Sequence, residues 1–292
     1  MRRALLALLI VAITAAAAPA DGARLVLDAK VPWHESWRHF GGFSGLVVLD
    51  GGDDFVTISD RGRWARGTMT RGRDGRLRAA HLTSSGHLRD VGGAMRGISF
   101  DSEGLAMDAG GRVFVSYERD ARVRRYAKVG GPATAIPRHP DFARFPGNLG
   151  LEALAVDAGG TLYAIPEAPL APGEPFPVYR FRNGAWDQPY SIRQRGDFRI
   201  SDAAVGPDGK LYILEREFSW LGFRTRVRQF SIAGDRLGDE ATLLTTRLNE
   251  LDNMEGMSVW TDRRGRIRVT LISDDNFFQL QQTEFAEYIL KE

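Results

Sequence analysis

A unit of two short strands around a tight turn recurs along this chain. In residues 101–119, DSEGLAMDAGGRVFVSYER, an acidic residue precedes an apolar run, the turn 108–111, a second apolar run and another acidic residue. Glycine and aspartate between apolar runs are typical of a β-hairpin, because they accept the positive φ angles of tight turns. The five copies begin near Gly45, Gly104, Ala153, Ala203 and Gly256, about fifty residues apart. Such a period, with several strands per unit, is typical of a β-propeller.

The strand count predicts the number of blades. Two more strand-like runs follow each hairpin except the last, which gives four strands per unit. The fifth unit ends after a third strand, and the run RLVLDAKV at residues 24–31 lies outside the repeats. We therefore predict an all-β chain with five four-stranded blades, in which the N-terminal strand completes the last blade and hides open edges. Six blades are the alternative, if the long interval between Gly45 and Gly104 contains a degenerate blade.

The N-terminus has the pattern of a secretory signal peptide. Arg2 and Arg3 precede an apolar run over residues 4–18, and Ala18-Pro19-Ala20 forms a small-x-small cleavage pattern. We predict a signal peptide over residues 1–20, a single propeller domain over residues 21–292, and a monomer in the periplasm or outside the cell. No later apolar stretch reaches the roughly 18 residues of a membrane-spanning helix, so the sequence predicts none.

Composition excludes several functional classes. The chain has 39 Lys and Arg against 37 Asp and Glu. Removal of Arg2 and Arg3 balances the charges, which argues against a globally basic nucleic-acid-binding protein. The sequence contains no cysteine. Disulfides, thiolate nucleophiles and cysteine zinc ligands are therefore excluded.

Acidic residues recur at the same two places in each unit, before the first strand and after the second. In a propeller the first strand lines the central channel and successive strands alternate in direction, so both places lie at one end of the ring. We predict that this mouth gathers Glu103, Glu152, Asp202 and Glu255 with Asp60, Glu118, Glu167, Glu215, Asp274 and Asp275. Carboxylates about 4 Å apart repel by roughly 4 kcal/mol at an effective dielectric near 20. Protonation, pairing with arginine or a divalent cation would offset that repulsion.

At these residues the chain resembles the phytase-like family of exported bacterial propellers, also described as esterase-like activity of phytase. The resemblance rests on SGL at 44–46, ISD at 58–60, EGL at 103–105 and LER at 214–216. Its most specific part is NMEGM at 253–257 followed by LISDDNF at 271–277, and it covers nearly all of the mature chain. It implies a β-propeller that hydrolyses phosphate or carboxylate esters.

The resemblance also implies roles for individual residues and a small anionic ester as the substrate. A divalent cation, with calcium preferred, would be held by Asp60, Glu103, Glu152, Asp202, Glu255 and Asp274. The catalytic carboxylates would be Glu103, Glu152 and Glu255. Arginine forks suit phosphate, and Arg61, Arg119 and Arg216 would bind the substrate. Asn148, Asn253 and Asn276 would add neutral oxygen ligands.

Other interpretations are open at this point. Repeated acids at strand starts also cap turns or bond neighbouring blades without binding any ligand. A non-catalytic propeller whose mouth binds a peptide, a glycan or an envelope protein is a second functional class, and a propeller lactonase is a third. A serine hydrolase is disfavoured, because Leu46 stands where a nucleophile elbow beginning at Gly42 needs its second glycine.

Overall fold

The computed structural model describes residues 22–49, 51–94, 101–146 and 149–292. The predicted signal peptide and Asn148 lie outside these residues. In the described part of the chain, the strands form five four-stranded antiparallel sheets and one two-stranded ribbon. This arrangement confirms the all-β propeller with five blades. The interval that suggested a sixth blade holds the ribbon instead, so the alternative was wrong.

The blades follow one another along the chain. Blade 1 contains β2 (Phe43–Leu49), β3 (Asp54–Ser59), β4 (Arg63–Arg71) and β5 (Leu77–His87). The ribbon contains β6 (Arg89–Asp90) and β7 (Gly93–Ala94). Blade 2 contains β8 (Ser102–Met107), β9 (Val113–Tyr117), β10 (Arg122–Tyr126) and β11 (Ala133–Ala135), and a 3-10 helix (Pro140–Arg144) follows it.

The remaining blades have the same order. Blade 3 contains β12 (Leu151–Val156), β13 (Leu162–Pro166), β14 (Phe176–Arg182) and β15 (Ala185–Ile192). Blade 4 contains β16 (Arg199–Val205), β17 (Leu211–Ser219), β18 (Gly222–Ala233) and β19 (Arg236–Thr245). Blade 5 contains β20 (Met254–Thr261), β21 (Ile267–Ser273), β22 (Glu284–Lys291) and the N-terminal strand β1 (Arg24–Pro32).

The N-terminal strand closes the ring, as the sequence predicted. Strand β1 pairs antiparallel with β22 from Arg24 opposite Lys291 to Pro32 opposite Glu284. Just beyond it, the buried Trp33 ring stacks on Phe43 of blade 1 at 4.9 Å between ring centroids. Pairing of both chain ends in one blade gives blade 5 its fourth strand and ties the start of the chain to its end.

The hydrophobic core is divided into five clusters, one between each pair of neighbouring blades. Successive side chains of a β-strand point to opposite faces of the sheet, so each blade presents an apolar face to each of its two neighbours. Each blade is therefore stabilised by both of its neighbours. The ring positions the mouth residues as one rigid set.

A β-bulge interrupts the mouth end of the innermost strand in every blade. In blade 3, for example, Leu151 pairs with Pro166 and Ala153 with Ile165, which leaves Glu152 without a partner in the ladder. A bulge of this kind re-aims a side chain. The bulge residues of the five blades are Ser44, Glu103, Glu152, Ser201 and Glu255.

Candidate functional site

Carboxylates from four blades meet at the mouth of the propeller. The bulges supply Glu103, Glu152 and Glu255. The residue that follows the second strand supplies a further acid in blades 1, 2, 3 and 5, namely Asp60, Glu118, Glu167 and Asp274. The N–H of each of these four donates to the carbonyl oxygen just before the innermost strand, at 2.9–3.1 Å. Asp101, which precedes β8, is the eighth acid at this end. We call these eight residues the acidic cluster.

Burial and mutual repulsion raise pKa values throughout the acidic cluster. Burial is the largest cause for Glu103, and the charges of Glu152 and Glu255 raise its pKa further. Burial and Glu255 raise the pKa of Asp274 to about 9, and burial and Asp101 raise that of Glu118 to about 7. Asp60 reaches a pKa of about 7, mainly through burial and against the opposing charge of Arg61. The fold thus holds these acids where their ionisation is disfavoured.

Blade 4 contributes a cation to the cluster in place of an acid. Arg216 lies in β17, at the position where the second-strand acid stands in the other blades, and its Nη1 lies 2.8 Å from Glu255 Oε1 and 3.0 Å from Asn253 Oδ1. Its Nη2 lies 3.4 Å from Glu167 Oε1. Burial disfavours the charged guanidinium, but Glu255, Glu152 and Glu167 outweigh it and raise the pKa of Arg216. Arg216 therefore neutralises part of the cluster permanently.

Two acids predicted at the mouth lie elsewhere, because the register of blade 4 differs from the predicted one by one residue. Ile200 pairs with Glu215, so Glu215 lies one residue before the cluster position that Arg216 occupies. The fully buried Glu215 side chain pairs with Arg226 and Arg228, each at 2.5 Å. Glu215 therefore forms structural ion pairs that join β17 to β18 within blade 4.

Asp202 is also a structural residue, which corrects its prediction as a metal ligand. It pairs with Leu214, so Ser201 occupies the bulge and Asp202 occupies the position of Gly256 in blade 5. Its Oδ1 accepts the N–H of Ala203 at 2.8 Å and its Oδ2 accepts the N–H of Met257 at 2.7 Å. The innermost strands leave N–H groups without a ladder partner, and this fully buried carboxylate satisfies two of them across two blades. Burial raises the pKa of Asp202.

The three arginines predicted to bind substrate have different surroundings. Arg216 lies within the acidic cluster, as described above. Arg119 is half exposed, and its Nε lies 2.8 Å from Asp101 Oδ2. Arg61 lies over the ring of Phe277, with its guanidinium carbon 3.3 Å from the ring centroid. Arg61 and Arg119 flank the acidic cluster and Arg216 lies among its carboxylates.

Two groups of three carboxylates have the spacing of a cation site. Asp101, Glu103 and Glu118 each offer one oxygen within 4.8 Å of the others, and so do Glu118, Glu152 and Glu167. Oxygens bound to calcium lie about 2.4 Å from the ion, so two ligands on opposite sides are separated by about 4.8 Å. Glu118 belongs to both groups, which we call the Asp101 triad and the Glu167 triad.

Sequence reasoning missed several of these residues or gave them other roles. Asp101 was not selected, although it precedes the first strand of its blade as Asn253 does in blade 5. Asn253 is buried and donates from Nδ2 to Glu255 Oε1 at 2.8 Å, so it positions a carboxylate. Alignment of the repeats on the residue before β8 and β20 would have identified both positions. Asp275 accepts the Gly42 N–H at 3.1 Å, beside the cluster.

The raised pKa values give an expected pH dependence of stability. Acids whose pKa is raised by folding retain protons that the unfolded chain releases near pH 4. In a chelator, stability should therefore fall as the pH rises from about 5 to about 9, the folded pKa of Asp274. Calcium should raise the melting temperature more at pH 9 than at pH 5. Differential scanning fluorimetry checks both, and a melting temperature that rises over this range in chelator would contradict the account.

The fold and the cluster define a class of protein, a five-bladed β-propeller with carboxylates of several blades at one end of its channel. A family model described as "Phytase-like: Esterase-like activity of phytase" matches residues 38–277. The chain therefore belongs to the phytase-like family, which confirms the resemblance inferred from the sequence motifs. A search of curated proteins finds no match. No helix in the described residues is long and apolar enough to cross a membrane.

Solved structures resemble the chain at low identity. A gluconolactonase from Xanthomonas campestris is 15% identical over 94% of this chain and 98% of its own, with a TM-score of 0.48. A provisionally assigned gluconolactonase is 16% identical over 94% and 93% of the two chains, with a TM-score of 0.43. A chain of a nidogen–laminin complex is 16% identical over 74% and 73%, with a TM-score of 0.41. Likeness at this level says nothing about the activity of this chain.

Proposed function

We propose that this protein is an exported hydrolase of phosphoester or carboxylate ester bonds that uses a divalent cation, with calcium as the preferred ion. The observation that carries the proposal is the pair of carboxylate triads sharing Glu118. Membership of a family described by esterase-like activity supports it. The N-terminal signal-peptide pattern supports export to the periplasm or beyond.

The side chains of the cluster suit a hard cation. Both triads consist of carboxylates alone, and calcium prefers six to eight oxygen ligands at about 2.3–2.6 Å. Burial and repulsion already disfavour the ionised acids, as the raised pKa values of Glu103 and Glu152 indicate. A bound cation would reverse that penalty, because an opposite charge favours the ionised form of each ligand. Asp101, Glu103, Glu118, Glu152 and Glu167 would hold it.

When bound, the cation would polarise an ester oxygen and increase the acidity of a water molecule. Among the chain's own residues, Glu255 is best placed to accept the proton of that water, since it belongs to neither triad. Its Oε1 accepts hydrogen bonds from Asn253 Nδ2 and pairs with Arg216 Nη1, each at 2.8 Å. No hydrogen bond from a described residue reaches Oε2, which is left to accept a proton. Arg216 and Asn253 therefore orient Glu255.

The test is an assay of the metal-depleted protein. Turnover of 4-nitrophenyl phosphate, 4-nitrophenyl acetate and an aliphatic lactone is measured before EDTA treatment, after it, and after calcium or magnesium is restored. We expect turnover of at least one substrate to fall at least tenfold and to return with calcium. EDTA already saturated with calcium is the control. Turnover that EDTA leaves unchanged would contradict metal assistance, and no turnover of any substrate would contradict the hydrolase.

The same panel distinguishes the remaining functional classes. Lactone turnover without phosphatase activity would identify a lactonase. Absence of all turnover, with a partner-dependent rise in melting temperature, would favour a binding propeller for a peptide, a glycan or an envelope protein.

A further inference from the structure

Exposed apolar side chains are concentrated at the mouth end of the propeller. Nine large apolar side chains are exposed in the described part of the chain; six lie in connections at that end, and Phe218 lies near the mouth end of β17. Five of them lie on two neighbouring blades, and we call these five the apolar rim: Phe218, Trp220, Leu221, Phe278 and Leu280. A soluble protein rarely exposes such side chains together unless they contact something. The apolar rim therefore indicates a contact surface beside the acidic cluster.

The blade 4 part of the rim is an ordered hairpin tip. Trp220 is 99% exposed, in the turn between β17 and β18. Asn249 fixes this turn, because its Nδ2 donates to Leu221 O at 2.7 Å and its Oδ1 accepts the Phe223 N–H at 3.2 Å. A Cβ atom on Gly222 would lie 1.6 Å from Asn249 Oδ1, so the glycine permits this close approach. The hairpin thus holds a tryptophan in solvent in a defined position.

The hairpin connects the rim directly to the acidic cluster. Arg216 and Phe218 lie on the same face of β17, because alternate residues of a strand share a face. At about 3.3 Å per residue, Phe218 lies about 7 Å along the strand from Arg216. A ligand that covers the Phe218 ring and extends about 7 Å along the strand therefore reaches the carboxylates around Arg216.

The blade 5 part of the rim begins at the cluster as well. Asp274 is a cluster residue, and the connection that follows it displays Phe278 and Leu280, which are 56% and 85% exposed. Phe277 anchors this connection beneath Arg61. Turn hydrogen bonds from Phe278 N to Asp275 O and from Gln281 N to Phe278 O, at 2.7 and 3.0 Å, order the segment. Two apolar projections therefore stand on adjacent blades beside one chemical site.

The charge of the mouth limits which class of ligand can bind at the apolar rim. The eight carboxylates of the cluster face four nearby arginines, Arg61, Arg119, Arg199 and Arg216. With calcium bound the acids are ionised, and their eight negative charges exceed the charges of one calcium ion and these four arginines, so the mouth repels an anionic lipid surface or a dianionic phosphate more than a neutral molecule. A neutral ester with an apolar group satisfies both the rim and the charge.

We propose that the apolar rim binds the medium-chain acyl group of a neutral carboxylate ester whose ester bond reaches the acidic cluster. This inference rests on the proposed hydrolase function and narrows its substrate class. Trp220 and Leu221 would contribute most, since they are the most exposed residues of the blade 4 tip. They act on substrate preference and leave the chemical step unchanged.

The test compares two esters in matched variants. The ratio of kcat/KM for 4-nitrophenyl octanoate to that for 4-nitrophenyl acetate is measured in the full protein with calcium. We expect the double variant Trp220→Ser, Leu221→Ser to lower this ratio at least about tenfold, because the octanoate chain loses its apolar contacts and the acetate has no such chain. The matched control is Val26→Ser, Leu27→Ser, which removes two exposed apolar side chains from the outer strand β1. A ratio unchanged in the Trp220 and Leu221 variant would overturn the proposal.

A binding measurement separates this inference from the hydrolase proposal. The uncleavable 4-nitrophenyl octyl ether is titrated into the wild-type protein and both variants by calorimetry. Binding that only the Trp220 and Leu221 variant loses supports the rim even if no ester is hydrolysed, and absence of binding to the wild type overturns it. Trp220-dependent binding to phosphatidylcholine vesicles or Trp220-dependent dimerisation, without ether binding, would also overturn it.

Discussion

Replacement of Glu118 by glutamine is expected to weaken calcium binding and ester turnover by at least about 100-fold. Residues that merely support metal ligands already change affinity by about 10–100-fold when replaced, and Glu118 is the carboxylate that both triads share. Glutamine keeps the shape of the side chain and removes its charge. Isothermal titration with calcium and the ester assay measure the two effects.

The same variant gives a readout that a purely structural role would not produce. Glu118 is repelled by Asp101, and this repulsion raises its pKa together with burial. In chelator, Glu118→Gln should therefore melt no lower than the wild type near pH 8, while its calcium-induced rise in melting temperature is lost. Glu174→Gln, an exposed acid in blade 3, is the control and should behave as the wild type. Undiminished calcium affinity in Glu118→Gln would contradict the site.

Replacement of Arg216 by methionine is expected to destabilise the protein by about 3–5 kcal/mol at pH 8. Its guanidinium pairs with Glu255 and Glu167 inside the cluster, and their charges would be left without it. At pH 5 the loss should be smaller. The neighbouring acids with raised pKa values, Asp274 among them, are then protonated and repel those two charges less. Urea denaturation in chelator at both pH values measures the difference.

Arg199 provides a matched control for Arg216. It pairs with the same Glu167, at 3.4 Å, but its side chain is half exposed. Exposed pairs contribute about 0–1 kcal/mol, so Arg199→Met should cost no more than about 1 kcal/mol. If Arg216→Met loses as little stability as Arg199→Met, the cluster carries little charge. A loss of stability in Arg216→Met that is the same at pH 5 and pH 8 would lead to the same conclusion.

The fold was predictable because its signals are local and repeated. The turn at Asp108–Gly111 and its counterparts mark hairpins wherever they occur, and the fifty-residue interval follows from counting them. Closure by β1 followed from a missing strand in the last unit and an unassigned strand at the start. Each inference needed only the pattern of apolar residues and glycines.

The site was less predictable, because one-residue shifts at bulges decide which side chain faces the mouth. Sequence reasoning aligned Asp202 with the acids of other blades, whereas the bulge at Ser201 moves Asp202 into the inter-blade position. The same shift places Arg216, and not Glu215, at the cluster position of blade 4. The early position of Glu215 in its unit was the one visible sign of this change. A bulge of this kind requires no particular residue type, so the sequence alone does not locate it.

The acidic cluster as a cation site is tested most directly by a crystal structure of the protein soaked in calcium. We expect an ion within about 2.6 Å of a Glu118 oxygen, with further carboxylates from blade 2 or blade 3 completing its ligands. A structure at millimolar calcium in which no ion contacts Glu118, and in which the triad carboxylates bond only to protein groups, would contradict it.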